Sequence, residues 1–273
     1  MKKILIITVN YRNTNPTYKL IKSIEKSNNT KIIELVIVDN ESSPKSKKEL
    51  LRISKESFLS SSILESKINK FYWGGASIAL QIFLINNENY EWIIICNNDI
   101  QFNDTLFFDK LIKQNENKKI IAPKIISSIT KKDLNPFMVT PISFIQDIYY
   151  SLYYISYPTS KIFHKMGRII QFFKNKIINQ HLFNHIIYAP HGSCIIFNKC
   201  FFEDGGLLET GFSMYGEEIS TAEIAKKTNS KIFYIPSLSL IHNEHQSTEK
   251  VSSKENFLRS KKTYYFLKKK YRN

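Results

Sequence analysis

Four places in the sequence put carboxylates or imidazoles where chemistry can use them. Asp99 follows the apolar run 92–96 and is preceded by Asn97 and Asn98. A carboxylate directly after a buried strand can cap the next turn. It can equally hold a divalent cation across two phosphates, because Mg²⁺ and Mn²⁺ favour hard oxygen ligands. Asp39 ends another apolar run and precedes Asn40-Glu41-Ser42-Ser43, so it can cap a helix or accept a hydrogen bond from a base or ribose. Glu217 and Glu218 follow Tyr215-Gly216. Acids suit a first helical turn for dipole reasons, and one of the pair can also act as general base toward an acceptor hydroxyl. His242 closes the apolar run 238–241, with His245 three residues on. Without nearby Cys or a His-Glu-x-x-His context that spacing is a poor zinc signal, and a single imidazole completing a site with Asp99 is the stronger reading.

These residues need a scaffold that gathers strand ends. Runs 4–9, 32–38 and 92–96 are apolar and β-branched without alternation, as strands buried on both faces of a parallel sheet require. Between the first two, Pro16 suits a first helical turn, and Leu20, Ile21 and Ile24 fall at helical spacing. The resulting strand-helix-strand unit takes a right-handed crossover, so both strand ends reach the edge where open α/β sheets bind ligands. A lysine-rich helix is expected over 45–56, and a helix opened by Trp73-Gly74-Gly75-Ala76-Ser77 runs to about residue 85. Further strands are expected over 191–197 and 231–235, with a short helix through Ala225 between them.

Composition narrows the partners. Of 273 residues, 42% are hydrophobic and 23% charged, ordinary globular values that argue against general disorder. The net charge of +15 admits nucleic acid, an anionic membrane surface or a phosphorylated substrate. Residues 250–273 hold nine Lys or Arg against one acid, Glu255, interleaved with aromatic residues, as in a surface-seeking tail. Between Phe144 and Tyr188 there are 11 aromatic residues, and the α/β alternation stops. Within this segment Ile162, Met166, Ile169, Phe173 and Ile177 share one helical face, with Lys161, Lys165, Arg168, Lys174 and Lys176 on much of the rest. Such a helix can pack on the core or lie on a membrane. Cys96, Cys194 and Cys200 are scattered and odd in number, which suggests neither a disulfide framework nor a zinc site and fits a reducing compartment. The first ten residues are too short an apolar stretch for a secretory core, and no run of about 18 apolar residues predicts a transmembrane helix.

Together, the succession Thr8-Val9-Asn10-Tyr11-Arg12, Val38-Asp39-Asn40-Glu41-Ser42-Ser43, 69–77 with Trp73-Gly74-Gly75, Asn97-Asn98-Asp99, Gly192-Ser193, Tyr215-Gly216-Glu217-Glu218, Pro236, and His242 with Ser247 resembles family 2 of the inverting glycosyltransferases. Order and spacing are similar to its rhamnosyltransferase-like branch across essentially the whole chain. The resemblance implies a single GT-A domain: a Rossmann-like, mostly parallel sheet flanked by helices, with a helical, aromatic-rich acceptor-side insertion and a helical C-terminal tail. Its parts would be a nucleotide-sugar half (1–135), a variable helical segment (136–190), an acceptor and catalytic half (191–248) and the basic tail (249–273). It implies a nucleotide diphosphate sugar donor bound by Asn10, Asp39, Ser77, Asn97 and Asn98, and Mn²⁺ or Mg²⁺ on Asp99 and His242. Glu218 would be the base and Glu217 its neighbour on the acceptor. Asn97 stands where the family's first Asp often is, Glu218 where an Asp is usual, and Ser220 where an acid is common. The expected acceptor is a saccharide, lipid-linked, at the cytoplasmic face of a bacterial inner membrane for capsule or O-antigen, with an anionic surface and a homo-oligomer as further partners. Against this stand a degenerate transferase-fold scaffold and a nucleic-acid-binding protein. The latter is disfavoured because strand-end carboxylates repel phosphate unless a cation intervenes.

Overall fold

The computed structural model describes residues 3–86, 90–163, 186–244 and 252–272. Its first half alternates strand and helix: β1 (Lys3–Asn10), α1 (Asn15–Glu25), β2 (Ile33–Asn40), α2 (Pro44–Glu56), β3 (Ser60–Ser66), α3 (Phe71–Asn86) and β4 (Tyr90–Asn97). Then come β5 (Ile100–Gln101), α4 (Phe107–Ile112), β6 (Ile120–Ser127), α5 (Phe144–Tyr153), β7 (Ile186–Ile187), β8 (Cys194–Asn198), α6 (Lys199–Glu203), α7 (Glu217–Lys227), β9 (Ile232–His242) and α8 (Ser253–Tyr271). Residues 157–163 are also helical.

The strands form one sheet in the order β3-β2-β1-β4-β8-β6-β9-β5, with β7 on β9. β1 to β4 are mutually parallel, and β8 enters antiparallel between β4 and β6. Alternate residues of the apolar runs serve opposite faces. Ile4, Ile6, Leu35, Ile37 and Ile94 meet α1, α2 and α4 through Leu20, Leu50 and Phe107. Leu5, Ile7, Val36, Val38, Ile93 and Ile95 meet Trp73, Ala76 and Ala79 of α3 on the other side. A strand covered on both faces has no polar side to show, which is why the alternation is missing from the sequence.

Two local features set up the site edge. A Cβ on Gly75 would lie 3.2 Å from Val9, so the glycine lets α3 pack close over the ends of β1 and β2. The separate runs 231–235 and 238–241 are one strand, β9, that passes through Pro236. Its parallel ladder with β6 shifts register between Pro123 and Lys124, which accommodates a residue that cannot donate.

The basic tail packs one of its faces inward. In α8, Phe257, Tyr264 and Leu267 are buried. Tyr264 stacks on Tyr154 just after α5, and Phe257 meets Tyr153, Tyr154 and Tyr157. Phe257 and Tyr264 thus build an internal seam with the 144–163 segment, while Leu258 and Tyr265 stay exposed. Of the predicted amphipathic face at 162–177, only the exposed Ile162 belongs to the described residues. Met166, Ile169, Phe173, Ile177, Lys165, Arg168, Lys174 and Lys176 lie outside them, as do His245 and Ser247. Among the described residues no helix is long and apolar enough to cross a membrane, and all three cysteines are free.

Candidate active site

Chain topology brings Asp99 and His242 together. β4 ends at Asn97, and after a two-residue turn β5 pairs antiparallel with the end of β9, Ile100 opposite His242. Asn243 N–H donates to the Asp99 carbonyl at 2.9 Å, which fixes the turn. His242 Nε2 then stands 3.0 Å from Asp99 Oδ1, both side chains nearly enclosed. His242 Nδ1 is buried without a hydrogen-bond partner. One carboxylate oxygen and one imidazole nitrogen on a strand-end edge suit a cation such as Mn²⁺ that accepts both ligand types. Among the described residues no cluster of three or more His, Cys, Asp or Glu forms a closed metal cage, so remaining ligands of a bound cation would come from water or a phosphorylated ligand.

The neighbouring strand ends carry the other expected donor-side residues. Asn10 and Asp39 face each other across β1 and β2. Thr17 Oγ1 donates to Asn10 Oδ1 at 2.7 Å and accepts from Asn98 Nδ2 at 3.0 Å, a buried chain that locks β1, α1 and the end of β4 together. Asn10 and Asn98 are therefore largely committed to internal bonds. Asp39 is 1% exposed, and no hydrogen bond of good geometry meets its carboxylate oxygens. Burial raises its pKa against the opposing pull of Ser42 and Lys47. Ser77 is buried on α3, and Asn97 N–H donates to the Ser193 carbonyl at 2.9 Å.

Glu217 and Glu218 begin α7, with Gly216 as N-cap. Gly216 N–H donates to Glu217 Oε2 at 2.7 Å, and Gly192 N–H donates to Glu218 Oε1 at 3.2 Å. Both carboxyls keep an open edge but sit in a recess, and burial is the largest influence raising each pKa. For Glu218 the adjacent Glu217 charge adds to the effect. Ser220 is fully buried and donates to the Glu217 carbonyl, closing the first turn instead of carrying charge.

The tripeptide His191-Gly192-Ser193 joins these parts. The His191 ring lies edge-on to His242, centroids 6.0 Å apart, and burial lowers its pKa to about 4, which keeps it neutral. Asn135 fixes it by accepting from His191 N–H at 2.8 Å while donating to the Pro123 carbonyl at 2.7 Å. Gly192 holds Glu218, and its carbonyl accepts from Tyr72 Oη at 3.2 Å. A Cβ at Gly192 would stand 2.8 Å from Glu218 Oε1, so a side chain there would push the Glu218 carboxylate from its place. Sequence reasoning gives His191, Tyr72 and Asn135 no role. Only Gly192-Ser193 carries a signal, through the resemblance.

A curled, mostly parallel sheet flanked by helices, with its polar residues gathered at strand ends, matches the GT-A-like fold of glycosyltransferases of known structure. The mannosyltransferase PcManGT from Pyrobaculum calidifontis, in complex with GDP-Man and Mn²⁺, superposes with a TM-score of 0.54 at 13% identity, over 90% of this chain and 58% of that one. TarS of S. aureus in complex with UDP-GlcNAc gives 0.58 at 13% identity, over 95% and 65%. In sequence, the chain is similar to the low-salt glycan biosynthesis hexosyltransferase Agl10 of Haloferax volcanii, 25% identical over 240 residues. That match covers 88% of this chain and 66% of the relative, so the chain spans just under two thirds of its length. No protein-family model matches the chain.

Proposed function

We propose that the protein is an inverting, cation-dependent glycosyltransferase of the family 2, rhamnosyltransferase-like kind. It moves a hexose from a nucleotide diphosphate sugar to a hydroxyl of a saccharide acceptor. The observation that carries this reading is the linkage through residues 191–193. One rigid tripeptide touches the His242 imidazole beside Asp99, the Glu218 carboxylate and the end of β4. A diphosphate-binding edge and a candidate base are thereby held in fixed relation, which a transfer reaction needs and a passive binding module does not.

Asp99 and His242 would hold Mn²⁺ or Mg²⁺. Their 3.0 Å separation suits two adjacent corners of an octahedron with bonds of about 2.1 Å. Bound there, the cation would neutralise charge on the departing diphosphate. PcManGT in its complex with GDP-Man and Mn²⁺, and TarS in its complex with UDP-GlcNAc, support a cation and a nucleotide sugar as ligands. Asp39, Ser77 and Asn97 form the donor side, and Asn10 and Asn98 hold its backbone through Thr17. Glu218 in its ionised form, made a stronger proton acceptor by the burial and the Glu217 charge that raise its pKa, takes the proton from the acceptor hydroxyl. Glu217 orients the turn and borders the acceptor.

The acceptor we assign is a lipid-linked saccharide, handled at an anionic membrane surface on the cytoplasmic side during assembly of a surface glycan such as capsule or O-antigen. The aromatic 136–163 segment, and the basic, aromatic 252–272 segment that braces the loop before the base, motivate this. The test is release of nucleoside diphosphate from nucleotide sugars with Mn²⁺ and a lipid-linked acceptor pool. Glu218→Gln and Asp99→Ala each lower turnover about 10²- to 10⁴-fold while the fold is kept, and the product has the inverted anomeric configuration. Near-wild-type turnover in either variant removes that residue from the mechanism, and a retained anomer removes the single displacement.

A further inference from the structure

A surface helix of a soluble protein buries its apolar face and turns its polar one to water. α5 is built the other way round. Its acid, Asp147, faces α8, where it pairs with Lys268 at 2.6 Å and Arg272 at 3.2 Å and accepts from Tyr264 Oη at 2.9 Å. Tyr150 and Tyr154 meet Tyr264 of α8, and Tyr149 packs on Phe163. What remains outward is Phe144, Ile145, Ile148, Leu152 and Ile155, exposed by 81, 78, 45, 42 and 55%. At about 100° per residue, Phe144, Ile145, Ile148 and Leu152 of α5 fall within about 100° of arc, a single stripe, and Ile155 lies just past the helix end.

The charges beside the stripe share one sign. α5 and α8 run antiparallel, since Asp147 near the start of α5 meets Lys268 and Arg272 near the end of α8, and Tyr157 beyond α5 meets Ser253 at the start of α8. In an antiparallel pair, stripes offset in the same rotational sense from the mutual contact open on the same side. On α8 that side carries Lys254, Lys261, Lys262 and Lys269, interleaved with the exposed Leu258 and Tyr265. Lys261 Nζ donates to the Ile155 carbonyl at 2.8 Å, which marks where the two stripes meet. The acids of this pair are already matched, Asp147 as above and Glu255 with Arg259.

We propose that this apolar stripe of α5, with the lysine stripe of α8 beside it, is the surface by which the protein docks on an anionic lipid bilayer. The apolar side chains enter the interfacial region and the lysines meet lipid phosphates, the division of labour of an interfacial amphipathic element. A second copy of the chain is a poorer occupant, because each copy brings a net charge of +15 and the same lysines to the contact. Docking here also orients the reaction. α8 braces the loop before the base, with Thr263 Oγ1 donating to the Met214 carbonyl at 2.7 Å and Tyr215 Oη to Asn256 at 3.3 Å. The Glu217-Glu218 recess is thereby tied to the docking element. The inference rests on the membrane-surface part of the proposed function and names the residues that serve it.

The experiment is co-sedimentation of the full chain with vesicles of phosphatidylglycerol and phosphatidylcholine in equal parts, and with pure phosphatidylcholine, alongside sedimentation velocity without lipid. The variants are Phe144→Ser/Ile145→Ser/Ile148→Ser and Lys254→Glu/Lys262→Glu, each checked for an unchanged Tm. Wild type should bind the anionic vesicles, and each variant should bind about tenfold or more weakly. Binding by wild type that neither variant weakens overturns the assignment of this surface and leaves the membrane reading standing. A wild-type dimer that the triple variant dissolves, with no vesicle binding, gives the face to a second copy. No vesicle binding by a monomeric wild type overturns both, without touching the donor chemistry.

Discussion

Glu218 concentrates the energetic tension of the site. Its carboxyl is held in a recess beside Glu217 and accepts from the Gly192 N–H, and both burial and the neighbouring charge raise its pKa. A carboxyl whose folded pKa lies above its unfolded value of about 4.3 makes the unfolded state shed its proton first as pH rises. Stability is then lost from about pH 4 upward until the folded pKa is passed. Glu218→Gln removes this titration, so the variant should gain stability relative to wild type as pH rises from about 4 to about 8. Urea melts at several pH values read this, and a stability difference independent of pH would mean that Glu218 is not held in a charge-disfavouring recess. Glu217 and Glu218, and the pairing of Asp99 with His242, are legible in the sequence because these are charged residues at ends of readable elements. Gly192 as a clamp on Glu218, and any part for His191, Tyr72 and Asn135, are not. Their roles are backbone contacts and clearances that exist only once β8 is seated against β4.

Elements are readable where hydrophobic pattern alone decides them. β1, β2 and β4 declare themselves as unbroken apolar runs, and α1 by Pro16 and helical spacing. The antiparallel entry of β8 and the continuity of β9 through Pro236 depend on pairing partners distant in sequence, so local pattern does not give them. The inward face of α8 is hidden for a different reason: a basic, aromatic helix has the same composition whether its rings meet lipid or a tyrosine cluster at α5. The seam it makes rests on Asp147. Burial alone would raise that carboxyl, but Lys268, Tyr264 and Arg272 outweigh it and hold the pKa low. A lowered pKa contributes stability above the unfolded value of about 3.9 and loses it as pH falls through the folded value. Asp147→Asn should therefore cost roughly 1–2 kcal/mol at neutral pH, shrinking toward zero in acid, as denaturant titration would show. An equal cost at both ends of the pH range would assign the effect to packing instead.

The sheet unites these parts by a simple division. Parallel β1 to β4 deliver Asn10, Asp39 and Asn97 to one edge, and the antiparallel pairing of β5 with β9 adds Asp99 and His242 to it. α7 and α8 bring the carboxylate pair and the basic flank from the C-terminal part of the chain. The positive net charge suits an anionic ligand or surface. A ligand that binds only the folded state must raise its stability, so cation-dependent donor binding is directly measurable without knowing the acceptor. The decisive measurement is a thermal-shift panel of UDP-, dTDP- and GDP-linked sugars with and without Mn²⁺, run on wild type and Asp99→Ala. Wild type should show a rise in Tm for at least one donor that requires the cation and disappears in Asp99→Ala. Folded wild-type protein that shifts with no donor, or shifts equally without Mn²⁺ and without Asp99, would contradict this expectation.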